Sequence, residues 1–290
     1  MVFVTVASVY PSTVITRFAP SPTGYLHLGT AYAALMAARA SGAGGRFLLR
    51  IEDIDQSRCR PDFEAAIHED LTWLGLRWEQ PVRRQSEHFA EYAEALGKLE
   101  KQDLLYPCFC TRADIQREIA GAASAPHVGP DGPVYPGTCL QLSTAEQRRR
   151  MDAGEAYALR LRMDAAIASA GALAWQDAGR GEQRATPEIF GDVVLARKDT
   201  PASYHLACTW DDALQGITLV TRGEDLFAAT HVHRLLQALW KLPAPLYHHH
   251  GLVLAPDGKK FSKRDQSPTL RALRAEGKTP DDVLKMVGLA

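Results

Sequence analysis

The stretch RFAPSPTGYLHLGT (Arg17 to Thr30) holds two prolines, two glycines, an arginine and a single histidine, and runs straight into alanine-rich sequence. A short β-rich run, TVITRFA, ends there, and a helix-like pattern starts near Leu28. His27 and the amides of Leu28 to Thr30 are therefore expected at a helix N-terminus, where unpaired N–H groups and the positive end of the helix dipole favour a phosphate. Gly29 would let a ligand come close to the backbone. Taken alone, the stretch reads equally well as a strand-to-helix turn with a surface histidine. Neither G-x-G-x-x-G nor G-x-x-x-x-G-K-[ST] occurs, so a nucleotide site here needs another design. A second stretch, PDGKKFSKRD (Pro256 to Asp265), gathers lysines on a loop; alone it reads as a solvated basic loop. The third candidate is Cys108-Phe-Cys110 with Tyr135-Pro-Gly-Thr-Cys139. Three thiolates gathered by a loop suggest one structural Zn²⁺, tetrahedral and closed, and ligand chemistry alone selects His127 as the fourth donor. The plain alternative is a set of free buried thiols. Five cysteines are an odd number and poor material for a disulfide framework. Cys59 and Cys208, without partners in the pattern, read as packing residues.

These groups need elements to hold them. Val14 to Phe18 and FLLRIED (Phe47 to Asp53) read as strands, with a helix from Leu28 to Ala40 between them. Pro61-Asp62 opens a second helix, with Phe63, Ile67, Leu71 and Leu74 inward and Gly75 ending it. A third is expected from Ser86 as N-cap, with Phe89, Tyr92, Leu96 and Leu99 on one face. Strand and helix alternating in this order predict a parallel α/β sheet. The pattern breaks at Pro107, and 107–194 reads as an insertion into one nucleotide-binding fold: residues 1–106 form its first half, 195–242 its second, and 243–290 a lysine loop with short helices. A charged helix is expected near Ser143 to Gly154, an amphipathic one from Asp225 to Trp240, and a last one announced by Thr279-Pro280-Asp281-Asp282, an N-cap, an N1 proline and two first-turn acids.

The 290 residues carry 33 Lys+Arg against 34 Asp+Glu, net charge −1, with 46% hydrophobic and 23% charged residues, as in an ordinary globular protein. Total charge thus names no partner, and a nucleic-acid binder would have to gather its basic residues on one face. MVFVTVASVYPSTVIT is apolar but has no basic n-region, so no signal peptide is expected. No apolar run of eighteen residues occurs, so no membrane partner is expected, and the cytoplasm is the default.

Together, the His-x-Gly turn after the first strand and the Lys-x-Ser-Lys loop after the last resemble the two signatures of class I aminoacyl-tRNA synthetases. His27-Leu28-Gly29-Thr30 stands for the first, with Thr30 where the family pattern has a second histidine, and Lys260-Phe261-Ser262-Lys263-Arg264 for the second. RFAPSPTGYLHLG, LLRIEDID, YHLACTWDD, GITLVTRGEDL and PDGKKFSKR resemble the glutamyl-specific group in order and spacing across nearly the whole chain. The resemblance implies a Rossmann-like catalytic domain that joins glutamate to the α-phosphate of ATP. The carboxylate is already a nucleophile, so catalysis rests on alignment and on cations facing the charged phosphorus. Lys260 and Lys263 would supply those cations. His27, Gly29 and Thr30 would hold ATP, and Mg²⁺ would travel with it. Free glutamate has two carboxylates and one ammonium; Arg17, Arg222 and Glu52 fit that count. The resemblance places them at the amino-acid pocket with Ala19, Ser21 and Tyr204, without saying which arginine meets which carboxylate.

The Tyr-x₃-Cys spacing resembles a smaller relative of the glutamyl enzymes, in which a tyrosine completes the metal site; Tyr135 is then the fourth ligand instead of His127. Only 265–290 follow the lysine loop, too few for an anticodon-binding domain, which with the insertion resembles the glutamyl-queuosine tRNA(Asp) synthetases. That implies transfer of glutamate to the queuosine base in the anticodon stem-loop of tRNA(Asp) by a monomer. Arg112, Arg117, Arg148 to Arg150, Arg271, Arg274 and Lys278 are candidate phosphate contacts, each as readily plain solvated surface. The competing readings are a truncated glutamyl-tRNA synthetase charging a 3′ end, an inactive tRNA-binding module, and a small-molecule adenylyltransferase.

Overall fold

The structure is a computed structural model and describes residues 13–121, 128–253 and 268–290. Its first part runs β1 (Ile15–Phe18), α1 (Leu28–Ser41), β2 (Arg46–Ile51), α2 (Pro61–Trp73), β3 (Glu79–Arg84) and α3 (Phe89–Glu100). β1, β2 and β3 are parallel neighbours in that order. β2 is buried from Phe47 through Ile51, as a parallel strand covered on both faces must be. α1 presents Ala31, Ala34 and Ala37, all at most 1% exposed. These small side chains let it lie close on the sheet, where Thr16 Oγ1 donates to the Ala37 carbonyl at 2.8 Å. On α2, Ile67 and Leu71 are fully buried; a Leu71→Ala cavity would cost about 2–5 kcal/mol.

The middle part comprises β4 (Leu105–Cys108), α4 (Arg112–Gly121), β5 (Val128–Gly129), β6 (Gly132–Pro133), α5 (Thr144–Asp152), β7 (Ala158–Leu161), α6 (Met163–Ala170), β8 (Ala174–Asp177), β9 (Gly181–Arg184) and β10 (Val194–Ala196). β4, β7 and β10 form a small antiparallel sheet with β7 central. Pro107, which lacks an N–H, sits on its edge strand β4, where a proline is tolerated. α7 (Tyr204–Leu214), β11 (Leu219–Gly223), α8 (Ala229–Leu239) and β12 (Leu246–His250) follow, then α9 (Leu270–Ala275) and α10 (Pro280–Met286). β8 lies parallel beside β12, and β9 antiparallel beside β8, so part of 107–194 extends the sheet of β11 and β12.

The two halves meet at β1 and β11. Ile15 N–H donates to Thr218 Oγ1 at 2.8 Å and Thr218 N–H to the Ile15 carbonyl at 3.0 Å. From β1 the chain moves outward one way, through α1 to β2; from β11 it moves the other way, through α8 to β12. This reversal opens a crevice at the C-terminal ends of β1 and β11, the usual ligand position in an open parallel sheet. α9 closes one side: Leu270 N–H donates to the Leu26 carbonyl at 2.8 Å, and Leu270, Leu273 and Val283 pack with Leu26 and Leu28.

Some element ends differ from expectation. Ser86 does not cap α3, which begins at Phe89 after His88; Asp53 instead accepts the Ser86 N–H and hydroxyl at 2.8 and 2.6 Å. α8 begins at Ala229, because Glu224 to Leu226 make a separate tight turn. The cap expected at Thr279 is present, as a reciprocal pair with Asp282, and the charged helix expected near Ser143 starts at Thr144 with Ser143 as its N-cap. Among the described residues no helix is long and apolar enough to cross a membrane.

Candidate active site

At the crevice lies a cavity of about 270 Å³, lined by Arg17, Ala19, Ser21, Thr30, Glu52, Tyr204, Cys208 and Arg222 among others. Three strand ends bring the charges there: Arg17 on β1, Glu52 just past β2, and Arg222 on β11. All the residues expected in an amino-acid pocket thus line one cavity.

The two arginines are held in opposite ways. Arg17 forks onto Asp212, Nε to Oδ1 at 2.9 Å and Nη2 to Oδ2 at 3.2 Å. Asp212 also accepts from Arg50 Nη1 at 2.7 Å, and Arg50 Nη2 reaches Glu52 Oε1 at 3.1 Å. Burial alone would raise the Asp212 carboxyl, but Arg17 and Arg50 outweigh it and bring it down to about 2. Burial raises the Glu52 carboxyl, against the pull of Arg50 and Arg17. Arg222, 5% exposed, instead donates to neutral groups: Nε to His249 Nε2 at 3.1 Å, Nη1 to Tyr204 Oη at 3.3 Å and to His233 Nδ1 at 3.2 Å, and Nη2 to Thr230 Oγ1 at 2.5 Å. A guanidinium always donates, so His249 Nε2 and His233 Nδ1 must be unprotonated. Burial, reinforced by Arg222, lowers both histidines, His249 to about 4. Among the described residues Arg222 makes no ion pair, so no carboxylate offsets its charge at the cavity.

His27 is the N-cap of α1. Its Nδ1 accepts the Thr30 N–H at 3.4 Å, while the His27 N–H meets Thr30 Oγ1 at 2.7 Å. Thr30 thus completes a reciprocal cap. An accepting Nδ1 puts the ring proton on Nε2, a donor of the kind a phosphate oxygen takes. Gly29 lies in the first turn of α1. Lys260, Lys263 and Arg264 lie outside the described residues, as does His127.

Cys108, Cys110 and Cys139 converge, their sulfurs all within 4.8 Å of one another. Cys110 Sγ lies 3.4 Å from both Cys139 Sγ and Tyr135 Oη. Phe109 N–H donates to Cys139 Sγ at 3.3 Å, and the Cys139 N–H to Tyr135 Oη at 2.8 Å. Burial raises the Cys139 thiol, but hydrogen bonds from Tyr135 and the Phe109 amide outweigh it and lower it overall. This donor set fits a four-coordinate soft divalent cation.

Several residues at the cavity or buried behind it were not anticipated. Arg50, one of the charges the strand pattern alone would leave on the surface, is fully buried. Cys208, expected to be a packing residue, lines the cavity with Sγ 3.7 Å from Nη2 of both Arg17 and Arg50; burial, with Asp212 and Glu52 nearby, pushes its thiol up to about 12. Asp211 binds Arg83, Gln85 and Tyr92, each at 2.9 Å. The adjacent acids in TWDDAL, set inside an apolar helix, were the available signal. Of the candidate phosphate contacts, Arg117 pairs with Asp114, Arg149 with Glu146, Arg150 with Glu155, and Arg274 with Glu69 and Asp70.

The family model described as tRNA synthetases class I (E and Q), catalytic domain, matches residues 13–290. A Rhodobacter capsulatus protein named Glutamyl-Q tRNA(Asp) synthetase is 49% identical over 283 residues, covering 95% of this chain and 100% of that one. One of the same name from Symbiobacterium thermophilum is 42% identical, covering 92% and 83%. Glutamate–tRNA ligase 1 of Methylococcus capsulatus is 38% identical over 95% of this chain but only 59% of its own. A solved glutamate tRNA ligase from Elizabethkingia meningosepticum, in complex with its amino acid, superposes with a TM-score of 0.80 at 29% identity; the match covers 96% of this chain and 60% of the ligase.

Proposed function

This chain belongs to the catalytic-domain family of class I tRNA synthetases for glutamate and glutamine, and on that premise we propose that it activates L-glutamate with ATP and transfers the glutamyl group to the queuosine base of tRNA(Asp). In the first step a glutamate carboxylate oxygen attacks the α-phosphorus and pyrophosphate leaves. In the second, the tRNA displaces AMP from the adenylate.

The observation that carries this reading is the cavity itself: two buried arginines and one half-buried acid at the switch point of a parallel sheet. Glutamate offers two carboxylates and one ammonium: Arg222 brings a charge with no carboxylate partner among the described residues, Arg17 brings guanidinium donors held by Asp212, and Glu52 brings an acid. Arg17, Ala19, Ser21, Glu52, Tyr204 and Arg222 bind the amino acid. His27, Gly29 and Thr30 receive ATP with its Mg²⁺, and Lys260 and Lys263 face the charge on phosphorus. The segment 107–194 carries one structural Zn²⁺ on Cys108, Cys110, Cys139 and Tyr135 and meets the RNA, with 1–106 and 195–242 as the two catalytic halves and 243–290 as lysine loop and stem-contacting helices. The anticodon stem-loop is the part of the tRNA received, by a monomer in the cytoplasm.

The test combines labelled glutamate, ATP and Mg²⁺ with two bulk tRNA pools, from cells that make queuosine and cells that do not. Label on the queuosine-containing pool alone is expected. Equal label on both pools would mean 3′-end charging, and no label with no glutamate-dependent pyrophosphate exchange would leave only a binding role.

A further inference from the structure

Resting on the glutamate reading above, we propose that Asp177 and His249 are positioning residues for Arg222, holding its guanidinium at the cavity through a neutral imidazole so that no protein carboxylate cancels its charge. Asp177 ends β8, and His249 lies on the adjacent strand β12. His249 Nδ1 meets Asp177 Oδ2 at 2.6 Å, both side chains being fully buried. Nε2 must accept the Arg222 N–H, so Nδ1 carries the ring proton and donates it to Asp177. Thr230 closes the arrangement, its Oγ1 3.1 Å from His249 Nε2 and 2.5 Å from Arg222 Nη2.

The contrast with Arg17 shows what the imidazole achieves. A carboxylate placed directly on a guanidinium, as Asp212 is on Arg17, fixes it but also neutralises it. An interposed imidazole fixes the same fork and keeps the acid one ring further away. The charge of Arg222 is then available to a substrate carboxylate, in a site where charge-assisted bonds are strong.

Asp177→Asn tests the tautomer. Oδ1 of Asp177 accepts the Gly179 and Arg180 amides at 2.9 and 3.1 Å, and the Asn oxygen keeps those bonds. Its amide nitrogen then takes the place of Oδ2 and donates to His249 Nδ1. The ring proton moves to Nε2, where it opposes the Arg222 Nε–H, as happens whenever a carboxylate that orients a histidine is amidated. His249→Gln offers a carbonyl near the position of Nε2 and has no tautomer to lose.

Glutamate-dependent ATP–pyrophosphate exchange is measured for the parent, D177N, H249Q, H249A and the D177N/H249Q double variant. D177N and H249A should raise the glutamate KM about 10–100-fold, the effect of leaving a buried charged donor unmatched, with the ATP KM unchanged. H249Q should stay within about threefold of the parent, and D177N should add nothing in its background. A glutamate KM in D177N within about twofold of the parent overturns the inference. So does an equal D177N penalty in the H249Q background, which would place the role of Asp177 in its turn alone. If the parent itself shows no glutamate-dependent exchange, the glutamate reading fails and this inference fails with it.

Discussion

Asp212 is the point at which the charge balance of the cavity can be broken with one atom changed. It is 6% exposed and accepts both Arg17 and Arg50. Its carboxyl stands at about 2 against an ordinary 3.8. A folded value below the unfolded one means that this group stabilises the protein above about pH 3.8 and ceases to do so as pH falls toward 2. At 1.36 kcal/mol per pH unit the difference corresponds to about 2.5 kcal/mol at neutral pH, of which about half remains at pH 3. Asp212→Asn stands for the protonated carboxyl at every pH. It also turns an amide N–H₂ toward guanidinium donors and leaves two buried cations short of an anion, a defect of about 3–5 kcal/mol. Urea unfolding at pH 7 should show D212N less stable by about 2–5 kcal/mol with an unchanged denaturant slope. At pH 3 the deficit should be smaller by about 1 kcal/mol. A variant within about 1 kcal/mol of the parent at pH 7, or a deficit that does not shrink at pH 3, would refute the account of Asp212 as the shared counter-ion.

Two further outcomes are expected. His27→Ala should destabilise the protein by about 1 kcal/mol through loss of the α1 cap, whereas His27→Asn, which keeps an acceptor for the Thr30 N–H, should not; both should slow pyrophosphate exchange roughly tenfold or more. Full exchange by H27N would mean that the ring only caps the helix. At the thiol cluster, the as-purified protein should bind one Zn²⁺, and Tyr135→Phe should weaken it by about tenfold or more in competition with a chromophoric chelator. Unchanged affinity in Y135F together with loss in His127→Ala would reassign the fourth donor.

What could be read from the chain was what is local to it. The Pro/Gly turn, the helix beginning at Leu28, the cap at Thr279, and the Cys-x-Cys and Tyr-x₃-Cys pairs each lie within a few residues, where backbone chemistry decides. The family resemblance named the cavity residues because it matched stretches that are contiguous in sequence. What escaped is set by distance along the chain. Arg17 meets Asp212 across 195 positions, Arg50 meets it across 162, and His249 meets Asp177 across 72. An arginine inside a strand reads as a surface charge until both faces of that strand are known to be covered, and Arg50 became a core residue for that reason. The YHHH run shows the same limit: period two gives His249 a side of β12, but only the packing of α8 and β8 makes that side the one behind Arg222.

Arg17 and Arg222 look alike as sequence, each a cation near the C-terminal end of a strand that flanks the crevice. Electrostatically they are opposites. Arg17 shares Asp212 with Arg50 and contributes shape and hydrogen-bond direction more than net charge. Arg222 faces two imidazoles, a phenol and a hydroxyl, all neutral, in a buried setting where an unmatched charge is costly. A site that kept both arginines fully paired would bind a neutral amide as readily as a carboxylate. Leaving one of them unpaired costs stability in the empty protein, and on the proposed reading a bound carboxylate would recover that cost. Under that proposal, preference for an acidic substrate follows from where the acids Asp177 and Asp212 are placed: one behind a ring, the other directly on its arginine.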